Sequence, residues 1–116
     1  MVERRVAVFV SRGDERTVRL AGACALAAAT VGAQVDVFLF GDAVSVVVSA
    51  REGPPDEPAA LLYQARAAGG CRLFACSAGL VEEKVPLEAA ERALDAVVGW
   101  PTVLAWTKDV TERFSF

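Results

Sequence analysis

Residues 5–11 read RVAVFVS, a run of apolar and β-branched residues that shows no alternation with polar ones. Such a run is typical of a short strand buried on both faces, as in a parallel sheet covered by helices. Two further runs have the same character, QVDVFLF over residues 34–40 and RLFAC over residues 72–76. These three runs predict an α/β domain built on a parallel sheet.

The segment between the first two strands carries the signals of a long helix. Asp14 is a suitable N-cap, and Gly32 is a suitable stop after a helix that runs to residue 29 or 30. Gly22, Ala25 and Ala29 recur at three- and four-residue spacing. These small residues would allow another backbone to approach the helix closely.

Other segments are less decisive. Residues 43–48 are apolar and suit either a short helix or an extra strand, whereas the proline-rich residues 51–58 indicate an exposed loop. Residues 86–98 predict one helix that Pro86 opens and that continues to Val97 or Val98. Residues 113–116 predict a short last strand.

Strands that alternate with helices favour a parallel sheet with right-handed crossovers. We therefore predict a single domain over residues 1–116, a flavodoxin-like three-layer sandwich whose mainly parallel sheet has about five strands. Ligands of such sheets bind beyond the carboxyl ends of the strands. This rule points to the loops at residues 11–14, 41–44 and 76–79.

Composition excludes several classes of protein. The net charge of −3 and the absence of a basic stripe argue against a nucleic-acid partner. The apolar run Val6–Val10 is too short for a signal peptide, and no segment is apolar enough over the length of a membrane span. We expect a soluble cytosolic protein. Hydrophobic residues make up 54% of 116 residues, which favours self-association, although much of the excess is alanine.

The chemistry available to the chain is restricted. It has no histidine and three cysteines, so Ser–His and Cys–His dyads and histidine metal ligands are excluded. An odd number of cysteines in a cytosolic context argues against a disulfide framework. Cys71 and Cys76 cannot pair, because five residues of strand span roughly 16 Å and a disulfide needs Cα atoms within about 7 Å. Cys24 and Cys71 are interpreted as packing residues.

Cys76 is the candidate nucleophile because of its place in the chain. It ends the strand 72–76, which we expect near the centre of the sheet, and a small-residue turn and a helical turn follow. Backbone N–H groups at a helix start stabilise a thiolate, and Lys84 or Arg12 would add positive charge. The alternative is a cysteine that only packs. We predict a site around Cys76 formed by Ser11, Arg12, Gly13, Gly41, Asp42, Ser77 and Lys84.

Other sites have less support. A glycine-rich phosphate loop is absent from the sequence, so we expect no nucleotide and no other cofactor. Asp14 and Asp42 are expected near the same sheet edge, where they could hold a metal ion or accept a phosphoryl group, but a helix cap and a turn explain them equally well. Trp100 and Trp106 are expected as contacts in the core or in a subunit interface.

Three segments resemble one known family. FGDAV at residues 40–44, GCRLFACSA at residues 70–78 and WTKDV at residues 106–110 are similar to the DsrE/DsrF-like family, which includes sulfur-relay proteins. The resemblance implies a flavodoxin-like sheet, a homotrimer or hexamer, and a cysteine that carries sulfur as a persulfide. Cys76 is the position that would inherit this role, with sulfur donor and acceptor proteins as partners. The alternative is a non-catalytic interaction or small-ligand-binding module.

Overall fold

The computed structural model describes residues 4–116, which contain one five-stranded sheet. The strands are β1 (Arg5–Val10), β2 (Gln34–Leu39), β3 (Cys71–Cys76), β4 (Ala96–Val98) and β5 (Glu112–Ser115). Their order across the sheet is β4-β3-β2-β1-β5, and every neighbouring pair is parallel. The predicted flavodoxin-like α/β sandwich with a parallel sheet of about five strands is confirmed.

Helices cover the two faces of this sheet unequally. They are α1 (Glu15–Thr30), α2 (Asp42–Ser49), α3 (Ala60–Ala68), α4 (Ser77–Glu82), α5 (Leu87–Ala93) and α6 (Trp100–Trp106). The connections from β1 to β2, from β2 to β3 and from β3 to β4 each lead to the next strand on the same side. Because such crossovers are right-handed, the helices of all three lie on one face of the sheet. The return from β4 to β5 steps the other way, so α6 lies on the opposite face.

Two apolar clusters match these two faces. The larger one joins alternate strand residues such as Val8, Val37 and Leu73 to side chains of α1 through α5. The smaller one contains Phe38 and Phe74 from the strands and Val103 from α6, with partly exposed rings around them. The α6 face is therefore rich in aromatic residues and only thinly covered.

The first crossover helix is held by the features that the sequence predicted. The side chain of Asp14 accepts a hydrogen bond from the backbone N–H of Thr17 at 3.1 Å, which confirms it as the N-cap of α1. Gly32, with a φ of 89°, follows the helix. At Gly22 the helix meets α3 so closely that a Cβ atom would lie 2.8 Å from the Cβ of Leu61. The close approach expected at Gly22 is thus present.

The predicted helix over residues 86–98 is wrong in its second half. Helix α5 ends at Ala93, and Val97 and Val98 belong to the edge strand β4. The carboxylate of Asp95 explains the change, because it accepts a hydrogen bond from the backbone N–H of Leu73 at 2.8 Å and thereby fixes the chain beside β3. Tertiary contact overrides the local helical pattern here.

Two further assignments are settled by the structure. The ambiguous residues 43–48 are helical and lie within α2. Strand β3 is an interior strand between β2 and β4, but the central strand of the sheet is β2. Cys76 therefore ends a strand with neighbours on both sides, one position away from the centre.

We predict that Gly22→Ala destabilises the protein. In an exposed helix, alanine is favoured over glycine by about 1 kcal/mol. At position 22 the added methyl group overlaps α3, and overpacking of this kind costs about 1–3 kcal/mol. Urea unfolding should therefore show a net loss of stability. Ala23→Gly, at the exposed neighbouring position, measures the propensity effect alone, and a more stable Gly22→Ala protein would contradict the tight α1–α3 contact.

Candidate functional site

Three loops meet at the carboxyl edge of the sheet. The backbone N–H of Gly13 donates a hydrogen bond of 2.8 Å to Oδ1 of Asp42. Gly41 has a φ of 55°, and a Cβ on it would lie 3.3 Å from the carbonyl oxygen of Ser11. A Cβ on Gly79 would lie 3.4 Å from the nitrogen of Gly41. The loop after β1, the turn after β2 and the start of α4 after β3 are thus in direct contact.

Cys76 is the last residue of β3 and stands directly before α4. Because side chains alternate along a strand, it shares the α6 face of the sheet with Phe74. Its partner in the neighbouring strand is Val98. The residue is 5% exposed, whereas the next two residues, Ser77 and Ala78, are exposed. The thiol therefore lies just inside the surface of the carboxyl edge.

The thiol has no polar partner in helix α4. Cys76 occupies the N-cap position, but its side chain makes no capping hydrogen bond. Helix α4 has only six residues. The predicted helix start after Cys76 is present, although the geometry shows no hydrogen bond from it to the sulfur.

The two cations expected near Cys76, Arg12 and Lys84, lie on different segments of the chain. Arg12 is exposed and pairs with Asp14, with 3.7 Å between Nε and Oδ1. Lys84 has a φ of 54° and lies beyond the C-terminal end of α4, which ends at Glu82. Lys84 is thus at the opposite end of α4 from the thiol.

Both acidic residues of this edge have structural partners. Asp14 accepts hydrogen bonds from the hydroxyl and the backbone N–H of Thr17, and these bonds hold the pKa of Asp14 below its usual value. Asp42 accepts the hydrogen bond from Gly13. Within residues 4–116 no group of three or more acidic or cysteine side chains is arranged to bind a metal ion. The carboxylates serve as a cap and a loop brace.

The other two cysteines lie away from this edge, and all three are free thiols. Cys71 is buried at the opposite end of β3, where burial raises its pKa to about 12. Cys24 is partly buried in α1, and burial also raises its pKa. Of the three cysteines, Cys76 alone lies where the loops of the carboxyl edge meet.

One feature of the α6 face was not predicted from the sequence. Arg72 and Asp36 form a two-point ion pair, with nitrogen–oxygen distances of 2.9 and 3.0 Å. The guanidinium also lies over the rings of Phe74 and Trp106, at 5.1 and 5.6 Å from their centroids. Asp36 inside an apolar strand is the available signal, since a buried carboxylate needs a partner.

The C-terminal end of α6 is fastened by two more arginines. Arg5 donates a hydrogen bond of 3.3 Å to the carbonyl oxygen of Trp106. Arg113 donates one of 2.9 Å to the carbonyl oxygen of Thr107. Positive side chains at a helix C-terminus are favourable because the last carbonyl groups carry partial negative charge. The last turn of α6 is therefore fixed to β1 and β5.

A wide surface groove lies elsewhere on the molecule. It encloses about 810 Å³ between α1 and α3 and is lined by Arg16, Leu20, Ala23 and Leu61 among others.

None of the helices within residues 4–116 combines the length and apolarity needed to cross a membrane.

Comparisons with known proteins identify the family. The DsrE/DsrF-like family model matches residues 4–110. No curated protein matches the chain. Among solved structures, the ychN protein from E. coli is similar, with a TM-score of 0.64 and 19% sequence identity over 99% of this chain and 100% of that chain. That structure shares the fold, and the family match spans nearly the whole sequence, so this chain belongs to the DsrE/DsrF-like family.

Proposed function

We propose that this chain is a sulfur carrier that holds sulfur as a persulfide on Cys76. The observation that carries the proposal is the position of Cys76 in a DsrE/DsrF-like chain, at the carboxyl edge of an interior parallel strand. This edge is where α/β sheets of this type bind ligands. Membership of a family that includes sulfur-relay proteins supports the same role.

The transfer consists of two thiol exchange steps. The thiolate of Cys76 attacks the outer sulfur of a donor persulfide, the donor S–S bond breaks, and the donor leaves as a thiolate. A new S–S bond then makes Cys76 the persulfide. In the second step an acceptor thiolate attacks the outer sulfur of this persulfide and releases Cys76 as a thiolate. No electrons are gained or lost overall, so the chain needs no redox cofactor.

The protein contributes position and protection rather than an acid–base residue. The sequence has no histidine to take the proton of the thiol, so the thiolate forms by loss of that proton to solvent or to the donor. Exposed Ser77 and Ala78 beside the thiol provide a place for a partner to dock. Burial of Cys76 itself would protect a persulfide from stray thiols.

A second candidate function is favoured by that same burial. With 5% of its surface exposed, Cys76 also fits a packing residue in a non-catalytic interaction or ligand-binding module. The loop contacts among Ser11, Gly13, Gly41 and Asp42 would then form the rim of a binding surface. Sulfur uptake separates the two functions, because the module has no need of a reactive thiol.

We predict that incubation with a small persulfide donor adds one sulfur atom to the protein. Intact-mass measurement should show the adduct on the native chain and on Cys71→Ala, the matched control at the other end of β3. Cys76→Ala should lose it. An adduct that persists in Cys76→Ala, or no adduct on the folded native protein, would contradict the sulfur-carrier function.

We also propose that the chain forms a homo-oligomer, a trimer or hexamer as in the family resemblance. Large apolar side chains remain exposed on the single chain, among them Leu20, Val31, Val81 and Leu87. Soluble monomers rarely leave extensive apolar surface uncovered. Light scattering should give a mass of three or six chains at micromolar concentration. A mass of one chain, 12.2 kDa, would contradict this proposal.

A further inference from the structure

Two aromatic side chains that the proposed chemistry does not use come from either side of β3. Phe40 follows β2, and Trp100 starts α6 two residues after β4. Strand β3 lies between β2 and β4 in the sheet. Even so, the two rings are stacked, with centroids 5.0 Å apart and an angle of 18° between the ring planes.

The spacing of strands fixes where this stack lies. Neighbouring strands are about 4.8 Å apart, so β2 and β4 are separated by roughly 10 Å across β3. The ring of Phe40 also stacks on Phe9 of β1, with centroids 6.3 Å apart, so it stays close to β2. To bring the centroids of Phe40 and Trp100 within 5.0 Å, the ring of Trp100 must therefore reach across the end of β3.

The residue beneath the stack follows from the strand register. Leu39 pairs with Ala75, so the next residue, Phe40, stands beside Cys76. On the other side Cys76 pairs with Val98, which directly precedes Gly99 and Trp100. The stack thus spans the position of Cys76. Cys76 is 5% exposed although the next two residues, Ser77 and Ala78, are exposed, as expected of a thiol that lies beneath this stack.

The two ends of α6 are held differently. The side-chain hydrogen bonds that β1 and β5 send to the helix both reach its C-terminal end, at Trp106 and Thr107. Arg72 adds a cation–π contact with Trp106 at the same end. At the other end Trp100 is 54% exposed and stacks on Phe40. The contacts that fix the last turn of α6 therefore do not involve the ring of Trp100.

We propose that Phe40 and Trp100 form an aromatic gate that controls access to Cys76. In the closed state the gate slows the approach of small thiols and other small reagents to the sulfur. A donor or acceptor reaches Cys76 by displacing the ring of Trp100, so the gate selects partners that bind this exposed ring. The selection of sulfur partners rests on the proposed function, whereas the control of access does not.

The test measures how fast iodoacetamide alkylates Cys76, a reaction in which the thiolate displaces iodide. Trypsin places the three cysteines in separate peptides, residues 20–51, 67–72 and 73–84, so peptide mass spectrometry gives a rate for each thiol. Trp100→Ala should raise the rate at Cys76 by about fivefold, as expected when an aromatic stack of about 1 kcal/mol is lost. Trp100→Phe keeps a ring over the thiol and should stay near the native rate.

Two controls separate gating from a general loosening of the fold. Leu104→Ala removes another exposed apolar side chain of α6 and should leave the rate at Cys76 unchanged. Cys71 is also 5% exposed, in the same strand and away from the gate, so its rate reports global opening. An equal rise at Cys71 and Cys76 in Trp100→Ala, or an unchanged rate at Cys76, would overturn the gate.

Alkylation rates and persulfide adducts together distinguish failure of the gate from failure of the sulfur-carrier function. Faster alkylation of Cys76 in Trp100→Ala with no persulfide adduct on either protein would support the gate and contradict sulfur carriage. A persulfide adduct together with equal alkylation rates would support sulfur carriage and contradict the gate. Faster uptake of sulfur from a small donor by Trp100→Ala would support both.

Discussion

Parallel strands require a crossover that passes over a face of the sheet, and such crossovers are nearly always right-handed. In this chain the three steps from β1 to β4 go the same way, and one long return leads to β5. That order places five helices on one face and leaves the seven-residue helix α6 for the other. The thin cover over Cys76 is a direct consequence of the order of the strands.

The side of the sheet on which each side chain lies decides its role. Along β3, residues 71, 73 and 75 enter the well-covered core, whereas Phe74 and Cys76 lie on the α6 face. A shift of one position would place the thiol among the helices α1 through α5. Instead it occupies the face where a single short helix separates it from solvent. A thiol at such a position is protected without being enclosed by the main core.

Much of the fold could be predicted because its signals are local. The apolar runs gave three interior strands, and Asp14 gave the start of α1. The failures involve contacts between distant parts of the chain. Residues 86–98 have apolar spacing that fits one helix. Only the hydrogen bond that the Asp95 carboxylate accepts from the backbone N–H of Leu73 shows why the helix ends before residue 95. The position of Cys76 was predictable from its strand, but its cover depends on Phe40 meeting Trp100.

The ion pair between Asp36 and Arg72 has a consequence for how the strands align. Both residues lie on neighbouring strands at paired positions, on the thinly covered face. Sliding β2 by one residue would turn Asp36 towards the apolar helices and leave its carboxylate without the guanidinium, which is strongly unfavourable. This pair of opposite charges therefore adds an electrostatic penalty for misalignment to the one that the buried apolar side chains already impose.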